Sequence, residues 1–333
     1  MDLSIIVPVY NVEKYIRSCI DSNYKQSLDD NRFEVIIVND GTEDNSIGVI
    51  ADIINQHTNI TIINQENQGL SIARNNGIAI AKGEYILMPD SDDLIIENCL
   101  LPLLDKALET KADLVVADFI EMFDSEIEQF KGINQHDAEF EIMTGTELFL
   151  YHLNPNQCYV WRTLYKRTFI IQEHLTFVPG IFFEDVPFTH ECYIKATKCL
   201  KTHRLLNIYR RGRKGAYTAS FTIQKAYDYC MVIKKTWELT HINGLDPRVL
   251  QKIKDDVYTT FNVMLYSALH SIKNSLEILH LLKTLNKEVP DLRFCHGNKQ
   301  KTETLLFKYT PLLYLTIRKL HWKWIQCHDK TDR

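Results

Sequence analysis

Hydrophobic positions along the first 120 residues switch repeatedly between two periods. Leu3 to Val9 is a short continuous apolar run, the pattern of a buried strand, ending at Tyr10-Asn11. Val12, Tyr15, Ile16, Cys19 and Ile20 then recur at helical spacing, with Asn11 as the expected cap. Phe33 to Val38 repeats the strand pattern and stops in the turn composition Asn39-Asp40-Gly41-Thr42. A helix beginning at Asp44, Asn45 or Ser46 carries Ile47, Ile50, Ala51 and Ile54. A strand at Ile60 to Ile63, a helix from Ser71 to Ala81 stopping at Gly83, and a strand at Tyr85 to Met88 follow. That last strand runs into Asp90-Ser91-Asp92-Asp93. A helix around Leu100 to Leu108 and a strand at Leu114 to Phe119 complete the series.

Alternation of this kind predicts an α/β domain, a mostly parallel sheet with helices on both faces. Ligands of such sheets sit beyond the carboxyl ends of the strands. Tyr10, Asn39-Asp40 and Asp90–Asp92 would therefore share one rim. The pattern weakens after Phe123, where Ser125 to Phe140 reads as an exposed acidic loop or ribbon. Thr144 starts a helix, Trp161 to Ile171 is a buried element, and Leu205 to Tyr209 is a strand leading into Arg210-Arg211-Gly212-Arg213-Lys214-Gly215. From about Thr222 the chain is helical, over Lys225–Leu239, Pro247–Ile272 and Ser275–Leu285. A soft boundary near Tyr217 thus separates a catalytic-type domain (1–216, with halves of about 1–120 and 121–216) from a helical C-terminal region (217–333).

Thr304 to Ile325 combines many leucines with Trp322 and Trp324, and its charges are all basic: Lys308, Arg318, Lys319 and Lys323. That composition suits the headgroup region of an anionic membrane; a helix packed on its own domain with a solvated basic face is the alternative. Pro311 interrupts it. Composition adds limits. A formal net charge of -5 gives no nucleic-acid signal. Cys19, Cys99, Cys158, Cys192, Cys199, Cys230, Cys295 and Cys327 form no CxxC pair or zinc ladder and read as small buried hydrophobes in a reducing compartment. The start of the chain lacks the pattern of a signal peptide, and no apolar stretch is long enough to span a bilayer. A cytoplasmic protein is expected, with any membrane contact made from that side.

Several clusters carry chemistry. Three carboxylates within Asp90–Asp93 are costly to crowd together without a cation, and a hard divalent ion such as Mg²⁺ or Mn²⁺ with oxygen ligands resolves the conflict. A helix start decorated with acids is the competing account. Asp40 could accept the imide N–H of a uracil ring or merely form an Asx-turn. Arg74 could pair with the acidic cluster or a phosphate, or lie in a surface ion pair. Glu184-Asp185, beside Phe182-Phe183, is a candidate general base or a chance acidic pair. Arg210, Arg211, Arg213 and Lys214 could hold a diphosphate or form a solvated basic loop.

Taken in order, Ser4-Ile5-Ile6-Val7-Pro8-Val9-Tyr10-Asn11, Val38-Asn39-Asp40-Gly41-Thr42, Asn67 to Gly77, Asp90-Ser91-Asp92-Asp93 and Phe183-Glu184-Asp185 resemble family 2 glycosyltransferases of the GT-A fold. The resemblance covers about residues 3 to 215. It implies that Pro8, Tyr10 and Glu13 line the nucleoside, that Asp40 binds the base, usually uracil, and that Arg74 helps hold the same region. Asp90, with Ser91, would contact the ribose side, and Asp92, with Asp90, the metal at the diphosphate. Asp185 looks like the base of an inverting enzyme. Members commonly build bacterial capsule, exopolysaccharide or lipopolysaccharide on glycan or lipid-linked acceptors. Thr42 stands where serine is usual, and Pro89 where a non-proline apolar residue is more common. No QxxRW motif of processive synthases is found, which favours transfer of single sugars. A sugar nucleotidyltransferase would need a Gly-rich phosphate loop where Pro8-Val9-Tyr10-Asn11 stands, and a non-catalytic partner subunit would show a degraded acidic cluster. Oligomeric state stays open.

Overall fold

The structure, a computed structural model, describes residues 1–133, 135, 139–213, 220–294 and 297–328. It divides into two compact units. The first gathers Met1–Leu153, Cys158–Gly180 and Phe188–Ala216; the second gathers Asn154–Gln157, Ile181–Pro187 and Tyr217–Arg333. Lys214, Gly215, the expected boundary near Tyr217 and Cys295 lie outside the described residues.

The first unit contains β1 (Leu3–Val9), α1 (Ile16–Tyr24), β2 (Phe33–Asp40), α2 (Ala51–Gln56), β3 (Ile60–Gln65), α3 (Leu70–Ile80), β4 (Tyr85–Leu87) and β5 (Leu94–Ile95). It continues with α4 (Leu100–Thr110), β6 (Leu114–Phe123), α5 (Asp124–Ile127), β7 (Phe140–Met143), α6 (Gly145–His152), β8 (Thr163–Lys166) and α7 (Arg167–Gln172). Then come α8 (Asp185–Lys195), whose first three residues belong to the second unit, and β9 (Cys199–Arg211).

Among the described residues the strands form one sheet in the order β3-β2-β1-β4-β8-β6-β9-β5, with β7 paired to β9. The first four strands are parallel, as the alternation predicts. The remainder is mixed: β8 runs antiparallel between β4 and β6, and β5 and β7 run antiparallel to β9. The sheet is therefore less parallel than expected. The buried element at Trp161 to Ile171 resolves into β8 and α7, and β8 inserts into the middle of the sheet.

Both faces are covered. Leu3, Ile5, Val7 and Val9 pack with Ile16, Cys19, Ile20, Leu100, Leu103 and Leu104 on one face. On the other, Ile6 meets α3 at Gly77, where an added Cβ would lie 2.3 Å from Ile6 Cγ2. The register aligns the strand ends: Val9 pairs with Asn39, Asp40 with Gln65, and Ile5 with Leu87. Pro8 stands beyond the last β1–β4 pair, so its missing N–H costs no ladder bond on that side.

Two element starts differ from expectation. Asn11 is not a helix cap; its φ is 52°, and α1 begins only at Ile16. The reason is that Val12 N–H donates to Ser46 Oγ (2.9 Å) and Glu13 N–H to Asp44 (2.9 Å), so the chain is drawn to the neighbouring loop first. After β2, a 3₁₀ turn at Gly48–Ile50 precedes α2, because Asp44 and Ser46 are engaged in the same contact.

The second unit is helical: α9 (Ile223–Glu238), α10 (Pro247–Ser271), α11 (Ser275–Glu288), α12 (Gly297–Tyr309) and α13 (Pro311–His328). Pro311 interrupts the C-terminal helical segment as its place in the sequence predicts, dividing it into α12 and α13 and standing at the first position of α13, where a proline needs no N–H. Phe261, Phe294, Phe307 and Tyr314 form its aromatic core. Among the described residues no helix is long and apolar enough to cross a membrane.

Candidate active site

The rim at the ends of β1, β2 and β4 carries the clustered residues. Asp90, Asp92 and Asp93 bring one carboxylate oxygen each within 4.8 Å of one another. The turn that gathers them is closed by Asp93 N–H to Asp90 O (3.1 Å). Asp93 is buried; one oxygen accepts from Arg210 N–H (2.8 Å), while Oδ2 has no hydrogen-bond partner. Burial, and then the charges of Asp92 and Asp90, hold the Asp93 carboxyl well above the usual carboxylate range. A divalent cation fits this arrangement: hard oxygen donors converge, and a buried oxygen among them has no partner.

Basic groups surround the acids. Arg74, on the first turns of α3, is almost fully buried, donates to Asp90 Oδ1 at 2.7 Å and lies over the Phe177 ring at 5.2 Å. Arg210 Nε donates to Asp92 O (2.7 Å), and a second arm of the same guanidinium pairs with Asp124. Arg213 pairs with Asp92 Oδ2 at 3.0 Å. Both guanidiniums lie over Tyr15, at 4.9 and 5.5 Å from its ring centre. Gly212, with φ 76°, supplies the turn after β9 that returns Arg213 towards Asp92.

Arg211, one of the four basic residues expected to hold the diphosphate, is placed elsewhere. It pairs with Glu121 (3.5 Å) and lies over Tyr209. Side chains alternate along β9, so Arg210 and Arg211 leave opposite faces of the strand. Arg210, Arg213 and Tyr15 are the site neighbours that apolar spacing did not single out as a set. The two-cation pattern Arg-x-x-Arg around a glycine was the available signal.

Asp40 is buried and held by three donors of its own chain. Gln65 Nε2 (2.7 Å) and Gln68 N–H (2.8 Å) donate to one oxygen, and Gly69 N–H (2.9 Å) donates to the other. It thus holds the loop that starts α3; a carboxylate offers about four acceptor sites, so one direction is left. Tyr10 is exposed at the end of β1, and Pro8 is buried two residues earlier. Glu13 accepts from Asn45 N–H (3.2 Å). Asn11 and Thr42 share two further bonds, so the loops after β1 and β2 are latched together. At the centre of the latch burial raises the Asp44 carboxyl, but donors from Ser46, Glu13 and Thr42 outweigh it and hold it below its ordinary value. Ser91 is buried within the acidic turn.

Asp185 opens α8 within the second unit. Phe183, two residues before it, has φ 61°, its carbonyl accepts from Val186 N–H (3.2 Å), and its ring packs on Tyr229 at 4.2 Å. Asp185 thus leaves a fixed, aromatic-flanked turn.

The chain is 37% identical over 215 residues to the uncharacterized glycosyltransferase EpsJ of Bacillus subtilis (strain 168), covering 63% of this chain and 61% of that protein. It is 29% identical over 261 residues to the glycosyltransferase GlyG of Streptococcus pneumoniae serotype 4, covering 75% and 84%. The crystal structure of S. aureus TarS 1-349 in complex with UDP-GlcNAc superposes with a TM-score of 0.74 at 17% identity, covering 97% and 92%. That likeness shows the fold, the GT-A arrangement. The model of the family described as "Glycosyl transferase family 2" matches residues 4–170. With that match spanning half the chain, it belongs to glycosyl transferase family 2.

Proposed function

We propose that this chain is an inverting transferase that moves one sugar from a UDP-sugar to the hydroxyl of a glycan or lipid-linked glycan in the synthesis of a bacterial surface polysaccharide. The observation that carries this reading is the meeting of the Asp90–Asp93 acids with Arg74, Arg210 and Arg213 on the rim of the sheet. A related fold that holds UDP-GlcNAc, TarS, supports the choice of donor. Intact acids argue against a non-catalytic partner subunit.

In this reading Asp92 and Asp90 hold Mn²⁺ or Mg²⁺, which supplies positive charge to the donor diphosphate. Asp40 accepts the imide N–H of uracil through its remaining direction. Tyr10, Pro8 and Glu13 bound the nucleoside, and Ser91 and Asp90 the ribose side. Arg210 and Arg213 turn from their acidic partners to the diphosphate and stabilise the charge that gathers there as it leaves. Asp185 takes the acceptor proton while the acceptor oxygen attacks the anomeric carbon. The bond to the diphosphate breaks on the opposite face, so an α-linked donor gives a β-glycoside. Assignment of Asp185 rests on the order of motifs and on the fixed turn from which it projects. A cytoplasmic setting accords with Cys19, Cys99, Cys158, Cys192, Cys199 and Cys230, all free and buried.

The test is a melting-temperature panel of UDP- and GDP-sugars with and without Mn²⁺, followed by turnover. A UDP-sugar should stabilise the chain only when Mn²⁺ is present, and Asp185→Asn should keep that stabilisation while losing transfer. Undiminished transfer by Asp185→Asn would remove it as the base. Stabilisation by GDP-sugars alone would overturn the donor.

A further inference from the structure

We propose that the outward face of α12 and α13 docks onto an anionic lipid surface. The inference is independent of the transfer chemistry. A helix on the surface of a globular unit ordinarily buries its apolar stripe and turns polar residues outward. Here α13 buries Tyr314, Leu315 and Arg318 and turns Leu312, Leu313, Ile317, Leu320 and Trp324 outward. Tyr309 and Leu305 extend the exposed apolar row along α12. Exposure in this row runs from 43% at Ile317 to 78% at Tyr309, so the residues are presented rather than grazed. Spacings of four, three and four residues from Leu313 through Ile317 and Leu320 to Trp324 keep one helical face.

Charge decides the occupant. Residues 297–328 contain six basic residues and one acid, Glu303, in a chain that is acidic overall. Glu303 is turned inward, where it accepts from Tyr258 (2.8 Å) and pairs with Arg318 (3.4 Å). Arg318 is likewise taken up inside: it bonds to Asn262 and Tyr314 and lies over Tyr266 at 4.8 Å. It is therefore a core ligand and not the surface base its sequence context predicted. On α13 the charges beside the exposed row are the basic Lys319 and Lys323, with His321 near them, and Lys308 lies on α12. Lys319 also bonds to Ser275 Oγ, and the adjoining Leu276 is itself exposed. A second copy of the chain meeting this face would bring a second set of the same lysines, with no outward acid on α12 or α13 to compensate them. An anionic bilayer complements them, takes the apolar row at the acyl boundary and suits the tryptophan at the end.

The experiment is flotation of the full chain with vesicles of phosphatidylcholine alone and of equimolar phosphatidylcholine and phosphatidylglycerol, at low and high salt. Binding is expected to the second composition only, and to weaken with salt. The pair Leu313→Glu with Leu320→Glu should lose at least about tenfold in partitioning, and the pair Lys319→Gln with Lys323→Gln about tenfold. Unchanged melting and unchanged hydrolysis of a UDP-sugar in lipid-free solution establish that both variants are folded. No binding by the parent chain, equal binding to both vesicles, or full binding by the glutamate pair overturns the proposal. A parent dimer that the glutamate pair dissociates, without lipid binding, would instead give the face to a second copy.

Discussion

Replacing Arg74 by methionine tests the most confined contact of the site. The substitution keeps an unbranched apolar stem against Phe177 and removes the guanidinium, with its charge and its hydrogen bond to Asp90. At 2.7 Å from Asp90, and with an effective dielectric of about 20, the direct attraction amounts to about 6 kcal/mol. Desolvation of the ions offsets much of that, and breaking a buried pair from one side costs about 3–5 kcal/mol. Arg74 is 2% exposed but Asp90 is 32% exposed, so water recovers part of the loss. A destabilisation of about 2–3 kcal/mol is expected. For a unit of roughly two hundred residues this lowers the melting temperature by about 5–10 °C. The assay is urea unfolding monitored by far-UV circular dichroism, run as a double-mutant cycle with Asp90→Asn. The two single changes should be coupled by at least about 1.5 kcal/mol. Coupling below about 0.5 kcal/mol would refute the account, since Arg74 would then be stabilising the unit without Asp90.

Four further outcomes follow from the same geometry. Gly77→Ala should cost about 1–3 kcal/mol by thermal unfolding, because its Cβ would overlap Ile6 while the backbone of α3 is held against β1. Asp44→Asn should cost about 1–2 kcal/mol at pH 7 by denaturant unfolding. The Asp44 carboxyl is lowered in the folded chain, so this stability is present above the unfolded value near pH 4 and disappears as pH falls through the folded value. A difference that stayed unchanged as the pH fell progressively below about 4 would contradict the bonding assigned to Asp44. Arg213→Gln should weaken UDP binding by about tenfold in titration calorimetry, whereas Arg211→Gln should leave it within about twofold. Chelation should lower melting temperature in the presence of UDP, and Asp92→Asn should make the protein indifferent to Mn²⁺.

Much of the first unit is legible because its strands are buried on both faces and therefore read as unbroken apolar runs. Leu3–Val9 and Phe33–Val38 are of this kind, and their order yields the rim. β8 was not legible as a strand, because four residues within Trp161 to Ile171 carry no periodicity of their own, and insertion between β4 and β6 is a tertiary choice. β9 was read only from Leu205, since its first half bears Lys201 and His203. Those residues are compensated by Asp118, 83 and 85 positions away. Asp40 illustrates the other limit. Its residue type suits a base contact, yet three donors from Gln65, Gln68 and Gly69 claim it first, and no local pattern announces them. Arg318 fails similarly: a charge alone does not tell which face of a helix it occupies.

The engagement of Asp40 has a bearing on how this chain can vary. The carboxylate that would read the base is also the peg from which the start of α3 hangs, and Arg74 stands five residues along that helix, roughly one and a half turns. Exchange of Asp40 for another residue would disturb the helix start, the guanidinium over Phe177 and the proposed base contact together. On the proposed donor site, nucleotide preference is pleiotropic at this position, and drift towards another base has an easier route through exposed Tyr10 and Glu13. A loss of activity in Asp40→Ala would record a slipped helix as readily as a lost uracil. Asp40→Asn, compared at matched stability by nucleotide titration, is the variant that separates the two.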